Sequence, residues 1–335
     1  MHKVVVAGCG GMARTWIEYA MKRSDCEIVA FVDIFEDNAK RYQQEFGIGR
    51  TFTDVRTAIK ETGANLLFDI TIPDSHYEVV TTALELGCAV FGEKPMAHSL
   101  DAARAMIDAV ERAGKTYSVM QNRRYIKNIR AFRETIVSGA IGNPGFVCAD
   151  FFLGPHFGGF RDAMDSPLIL DMAIHTFDQA RFITGKDPIS VYCHEFNPEG
   201  SWYKGNASAV CIFEYGDGSV FNYRGSWCAE GYPTSWESSW RIVGSKGTAL
   251  WDGTNAPVYE TIVQPEGKPF QNKFERFTAE TSWSGNEYHH GCLDEMFAAL
   301  NEGRPAETDC RDNIKSVAMV YGAIESARTG TKVQL

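Results

Sequence analysis

No pair among the nine cysteines of this 335-residue chain has Cys-x-x-Cys spacing, and their number is odd. That argues against a disulfide framework and against a cysteine-clustered zinc site; reduced thiols in a cytosol fit better. His289 and His290 are adjacent, but no H-E-x-x-H spacing accompanies them, so no metal site is expected. No apolar run reaches membrane-spanning length. The first strand begins by Lys3, which leaves no room for a secretory leader. Basic residues are in deficit, 33 Lys and Arg against 43 Asp and Glu, for a net charge of −10. A surface of that sign disfavours nucleic acid and anionic membranes as partners. No internal repeat or low-complexity tract is evident. These absences leave a cytoplasmic protein with small-molecule partners as the expectation.

What is present is an ordinary mixture, 44% hydrophobic and 23% charged, in a chain long enough for two domains. Residues 3–7 form a β-branched run, followed by Gly8, Cys9, Gly10, Gly11, Met12 and Ala13 and then a helical stretch to about Lys22. This is G-x-G-x-x-A directly after a strand and opening a helix. Gly8 allows a tight turn, Gly10 lets the backbone approach a pyrophosphate, and Ala13 is small enough for close helix–strand packing. The helix N-terminus offers free N–H groups to phosphates. The next strand, 27–32, ends in Asp33. A carboxylate there can accept from both adenine-ribose hydroxyls and would repel a 2′-phosphate, and Ile34 and Phe35 bring no cation. NAD is therefore expected over NADP, with a helix-capping role for Asp33 as the alternative.

Strands and helices then alternate at short intervals to residue 120. Helices are expected at 37–46, 55–62, 73–86 and 100–113, the last capped by Ser99, and strands at 50–52, 65–72, 89–91 and 115–120. This is the pattern of a parallel, doubly wound sheet. Right-handed crossovers place the strand ends on one edge. Gly8 to Ala13, Asp33, Thr71 to Pro73, Glu93 to Pro95 and Gln121 should gather there. Lys94, taken alone, reads as a solvated loop lysine, and only this convergence at the strand ends makes it a candidate for chemistry.

These residues resemble the Gfo/Idh/MocA oxidoreductases, relatives of glucose–fructose oxidoreductase and inositol dehydrogenase. The likeness rests on Gly8 to Ala13, the strand ending in Asp33, Thr71-Ile72-Pro73 with His76, Glu93-Lys94-Pro95 and Gln121-Asn122-Arg123-Arg124-Tyr125. It runs on to the C-terminal helix that ends at Gly330-Thr331-Lys332-Val333. The resemblance implies an α/β chain with an N-terminal Rossmann domain at 1–122. A C-terminal α+β domain at 123–335 would carry a large, open, mostly antiparallel sheet for substrate binding and oligomerisation. A last helix at about 309–329 would pack back on the first domain. Cofactor contacts are implied for Gly8, Gly10, Gly11, Met12, Ala13, Asp33, Ile34, Thr71, Pro73, His76, Glu93, Lys94 and Gln121. A strained or cis Lys94–Pro95 bond is implied as well.

Beyond Arg124, a turn-rich joint at 139–145 leads to a strand and a glycine-rich loop holding His156 and Arg161, either a substrate lid or a crossing loop. A helix from Pro167 is apolar nearly all round except for Asp171 and His175, which at i and i+4 share one face. Buried ionisable groups are costly unless paired or used, so an internal Asp–His bond competes with catalysis. The resemblance favours catalysis, since family members carry a D-x-x-x-H helix whose His serves as acid/base. Here Met172, Ala173 and Ile174 intervene where relatives often have a glycine. Alternating segments from 189 to 251, with a hairpin turn at Gly216-Asp217-Gly218, make the sheet. Trp202, Trp227, Tyr232, Trp236 and Trp240 could cover a sugar or an interface, or fill the core. An open apolar face predicts a homodimer or homotetramer.

The function so implied is an NAD-dependent dehydrogenase or reductase of a sugar, inositol or sugar derivative. His175 would move the hydroxyl proton, Asp171 would orient it or hold a neighbouring hydroxyl, and Lys94 would polarise the reacting oxygen. Arg124, His156, Arg161 and Tyr232 are further substrate contacts. Two alternatives are an NAD-assisted glycosidase and a cofactor-sensing regulator. Intact Lys94, Asp171 and His175 argue against the regulator.

Overall fold

The structure is a computed structural model that describes residues 1–263 and 270–335. The chain divides into two compact units, Met1–Asn122 with Tyr288–Val317 and Arg123–Glu287 with Ala318–Leu335. The first unit thus takes in Tyr288–Val317, which the sequence reading groups with 123–335.

The first unit alternates β1 (His2–Ala7), α1 (Ala13–Ala20), β2 (Cys26–Val32), α2 (Glu36–Phe46), β3 (Arg50–Phe52), α3 (Val55–Thr62), β4 (Leu66–Asp69), α4 (Pro73–Glu85), β5 (Ala89–Gly92), α5 (Leu100–Ala113) and β6 (Tyr117–Val119). All strand pairs are parallel, in the order β3-β2-β1-β4-β5-β6. Val4, Val5 and Val6, and Leu66, Leu67 and Phe68, are fully buried, as both-face coverage by helices requires. The order reverses between β1 and β4, so a crevice is expected beyond their carboxyl ends. β4 stops at Asp69, three residues before the expected end. Ser99 caps α5, its hydroxyl accepting from Ala102 N at 3.1 Å.

The second unit holds α6 (Lys127–Val137), β7 (Pro144–Phe152), a π-helical turn at Leu168–Ala173, α7 (Ile174–Thr184), β8 (Pro188–Phe196), β9 (Ser208–Tyr215), β10 (Val220–Ser226), β11 (Ser239–Gly244), β12 (Gly247–Trp251), β13 (Val258–Ile262) and β14 (Phe274–Thr278). α8 (Tyr288–Glu302), α9 (Cys310–Thr329) and β15 (Val333–Gln334) complete the chain. α8 belongs to the first unit, where Phe297 packs edge-on against Phe91, 5.2 Å between ring centres.

The nine-stranded sheet of the second unit runs β14-β13-β12-β11-β7-β10-β9-β8-β15. It is antiparallel except where β7 meets β10. The β9–β10 turn falls on the expected glycines, Gly218 adopting φ +82° and donating to Tyr215 O at 3.0 Å. Along β9, Ala209, Cys211 and Phe213 are buried while Val210 and Ile212 are exposed. α7 covers the buried face, with Phe177 4.8 Å from Phe213 and 5.2 Å from Tyr223. Of the five tryptophan and tyrosine candidates, Trp227 and Trp240 fill this core, whereas Trp236 and Tyr232 are exposed.

Candidate active site

In the first unit a cleft of about 500 Å3 opens at the carboxyl ends of β1, β2 and β4; Gly8, Gly10, Asp33, Ile34, Thr71 and Ile72 are among its walls. Gly8 has φ +86°, and a Cβ there would lie 2.4 Å from Ile70 O, so only glycine lets β1 turn this close to β4. Gly10 and Gly11 have nothing within 4 Å of an added Cβ; their backbone faces open space.

The loop is held from outside itself. Asp33 accepts from Cys9 N at 2.9 Å and Phe35 N at 2.9 Å. From α2, Arg41 donates to Cys9 O at 2.8 Å and the Tyr42 hydroxyl to Gly10 O at 2.7 Å. Burial and the nearby Asp33 push the Cys9 thiol up to about 12, so no thiolate sits in the loop. Ala13 is fully buried at the start of α1 and Met12 is half-exposed. Arg56 also lines the cleft, with its guanidinium 2.9 Å from Glu85. It lies 23 residues past Asp33 in sequence, so nothing next to the acid announces a cation in this cleft.

Thr71 lines the cleft and donates to Asp69 at 2.5 Å. Behind it, His76 is fully buried with Nδ1 2.7 Å from Asp69 Oδ2. His76 therefore supports the Thr71 loop from below. Burial disfavours charge on the imidazole, but the Asp69 carboxylate outweighs it and the pKa is raised. Pro73 opens α4 at its first position, where a missing N–H costs nothing. The Glu93-Lys94-Pro95 turn follows β5, and its Lys94–Pro95 peptide is cis. Glu93 accepts from Trp16 Nε1 at 2.9 Å and from Lys94 N at 3.3 Å. Gly92 leaves room for the Tyr117 ring, which an added Cβ would meet at 2.9 Å. Three buried nitrogens of this unit have no hydrogen-bond partner among the described residues, Asn313 Nδ2 on α9 and, in the strand-and-helix half that holds the cleft, His76 Nε2 and Gln121 Nε2. Such orphans are rare in folded proteins. Together the glycine cradle, the Asp33 carboxylate at the end of β2 and the unpartnered His76 and Gln121 nitrogens fit a dinucleotide.

In the second unit, Pro167 starts the helix, but the first turns are π-helical and α geometry begins only at Ile174. Asp171 and His175 thus do not sit on one regular α-helix, as their spacing suggests. π turns are rare and occur most at functional sites. Asp171 Oδ2 accepts from Arg161 Nε at 2.8 Å. His175 is buried, as is every other residue of α7, Thr176, Asp178, Gln179 and Arg181 included.

Arg124 is buried and bonds Asp178 bidentately at 2.7 and 2.6 Å, a structural use of a residue read as a substrate contact. His156 is exposed, stacked 3.8 Å from the Trp202 ring and 2.8 Å from Glu230. Tyr232 is fully exposed, at φ +44°. Gln179 donates to Glu237 at 2.7 Å, and Arg123 lies 3.7 Å from the same carboxylate. Burial raises the Glu237 pKa and Arg123 opposes it. Asp178, Gln179 and Glu237 carry no sequence signal of their own. Among the described residues no group of three or more His, Cys, Asp or Glu could hold a metal ion, and no helix is long and apolar enough to cross a membrane.

Known proteins are similar to this chain in sequence and fold. Residues 2–121 match the oxidoreductase family with an NAD-binding Rossmann fold, Gfo/Idh/MocA, and residues 133–335 match that family's C-terminal alpha/beta domain. The chain is 27% identical to a D-apiose dehydrogenase of Paraburkholderia graminis, over 99% of this chain and 89% of the relative. It is 26% identical to an uncharacterized protein of Sinorhizobium fredii, over 100% of this chain and 96% of the relative. An oxidoreductase from Agrobacterium radiobacter, solved in complex with NAD+, L-tartaric acid and magnesium, matches with a TM-score of 0.86 at 25% identity, covering 99% of this chain and 98% of that one. The chain belongs to the Gfo/Idh/MocA family of NAD-binding oxidoreductases.

Proposed function

We propose that this protein is an NAD-dependent dehydrogenase acting on a carbinol carbon of a sugar, inositol or sugar derivative. The observation that carries the reading is a helix segment with a buried His175 and a partly buried Asp171, in the same chain as a preformed cleft at the strand ends of the Rossmann unit. Gly8, Gly10 and Asp33 would hold the cofactor, with Thr71 and Gln121 beside them. When bound, NAD supplies the hydride acceptor. His175 takes the hydroxyl proton of the substrate, a role suited to a group whose ordinary pKa is near neutrality. Asp171, braced by Arg161, holds a neighbouring hydroxyl or orients His175. Lys94 donates to the reacting oxygen and stabilises negative charge as it develops. The dehydrogenase name of the Paraburkholderia graminis relative supports this substrate class.

His175→Ala should lose about 10²–10⁴-fold in turnover while NADH binding, read by nucleotide fluorescence, stays intact. Full turnover of that variant across inositols, aldoses and their derivatives would remove His175 from the role. We also propose self-association through the exposed face of the nine-stranded sheet, where Tyr192 lies opposite Ile212 and Arg241 opposite Leu250. The cysteines, all free thiols, suit a cytoplasmic setting.

A further inference from the structure

We propose that the aromatic cluster around residues 157–160 and Trp236 is a subsite for a ring joined to the sugar being oxidised, so that the substrates are glycosides rather than free monosaccharides. The inference rests on the dehydrogenase reading above for its place beside the reacting sugar. Phe157, Phe160 and Trp236 expose 56%, 64% and 44% of their surface. Leaving three large apolar rings in water is unfavourable, and contiguous exposed aromatic surface marks a binding site. The rings are not scattered. Phe157 lies 6.5 Å from Trp236 and 6.0 Å from Trp227, and Trp227, fully buried, meets Trp236 edge-on at 5.6 Å. Trp227 thus forms a floor beneath Phe157 and Trp236.

Arg161 connects this cluster to the proposed chemistry. Its guanidinium lies 5.3 Å from the Phe157 ring centre and 4.8 Å from that of Phe160. Its Nε donates to Asp171 at 2.8 Å. The aromatic faces therefore begin one guanidinium away from Asp171, four residues before His175. Gly158 and Gly159, at φ +68° and +71°, turn the chain between the two phenylalanines, so one cation touches both rings.

The chemistry of the surroundings selects the occupant. A six-membered sugar ring has an apolar C–H face that packs on aromatic rings and a hydroxyl edge that needs paired hydrogen bonds. Beside the rings stand such partners, Arg161 and the exposed His156–Glu230 pair, 2.8 Å apart. The ring across the glycosidic bond is therefore a second sugar, and a matched phenyl glycoside is the control that would show an aromatic aglycone instead.

The experiment measures kcat/KM by NADH formation for free sugar, methyl glycoside, phenyl glycoside and disaccharide in the gluco, galacto, manno and xylo series. Wild type should prefer the ring-bearing disaccharide over its methyl counterpart, and a preference for the phenyl glycoside would show an aromatic aglycone instead. In Phe160→Ala and Phe157→Ala the ratio of ring-bearing to methyl glycoside should fall about tenfold. An unchanged ratio in both variants overturns the subsite. Quenching of tryptophan fluorescence by the disaccharides gives binding independently of turnover. Quenching that weakens in Phe157→Ala, with no sugar oxidised by wild type, keeps the subsite and sinks the dehydrogenase. Turnover of free sugars without quenching by any disaccharide does the reverse.

Discussion

Gly8 shows how much one residue's backbone can decide. Its φ of +86° and the 2.4 Å that would separate an added Cβ from Ile70 O leave no room for alanine. Gly8→Ala should destabilise the first unit by about 1–3 kcal/mol and abolish NADH binding, and a calorimetric titration checks the second effect. An unaltered dissociation constant would mean that the turn tolerates a side chain. The buried Arg124–Asp178 pair is a different case. Removing one partner strands a charge, so Asp178→Ala should cost about 3–5 kcal/mol, read as a lower urea midpoint. These two residues also mark the limit of the sequence. Gly8 to Ala13 and Asp33 are legible because their chemistry is local: a turn, a close approach, a strand end. Asp178 is not, because its partner is 54 residues away, and Gln179 meets Glu237 across 58. No local pattern distinguishes them from other polar residues on a helix.

At the scale of elements, periodicity read the Rossmann half closely, with α3, β3 and α5 falling on their expected bounds. It fails where an element departs from regular geometry. The π turn at Leu168–Ala173 has no sequence period of its own. β13 was missed because all five of its residues are half-buried, without the alternation that signals a strand. β8 carries a titration that the sequence does not announce. Burial raises the Glu195 pKa to about 7, although the Ser166 hydroxyl 3.1 Å away opposes it. The unfolded chain releases this proton near the ordinary value of 4.5, and the folded chain holds it until about 7. Stability therefore falls as pH rises through that window, by about 3 kcal/mol in total. Glu195→Gln should raise the melting temperature at pH 8 and change it little at pH 4. Equal effects at both pH values would show that Glu195 does not titrate in this window.

The whole molecule presents a sheet with one face covered by α7 and the other open to its surroundings. Across it run Tyr192, Ile212, Asn222 and Cys148 in register, a mixed surface with apolar positions at one side. Ile212→Lys together with Leu250→Lys should convert a dimer or tetramer to monomer in sedimentation velocity, with each unit still folded by circular dichroism. A wild-type monomer at tens of micromolar would remove this face as an interface.

The two-residue strand β15 has an importance out of proportion to its length. Val333 and Gln334 pair with β8, Leu335 N donates to Ile189 O at 3.0 Å, and Gly322 lacks the Cβ that would strike Leu335. A sheet edge left bare is a template on which stray extended chains can polymerise. Residues 333–335 cover that edge over Ile189 to Val191, and breaking the pairing, as in Val333→Pro, would bare this stretch of β8 to association with other extended chains.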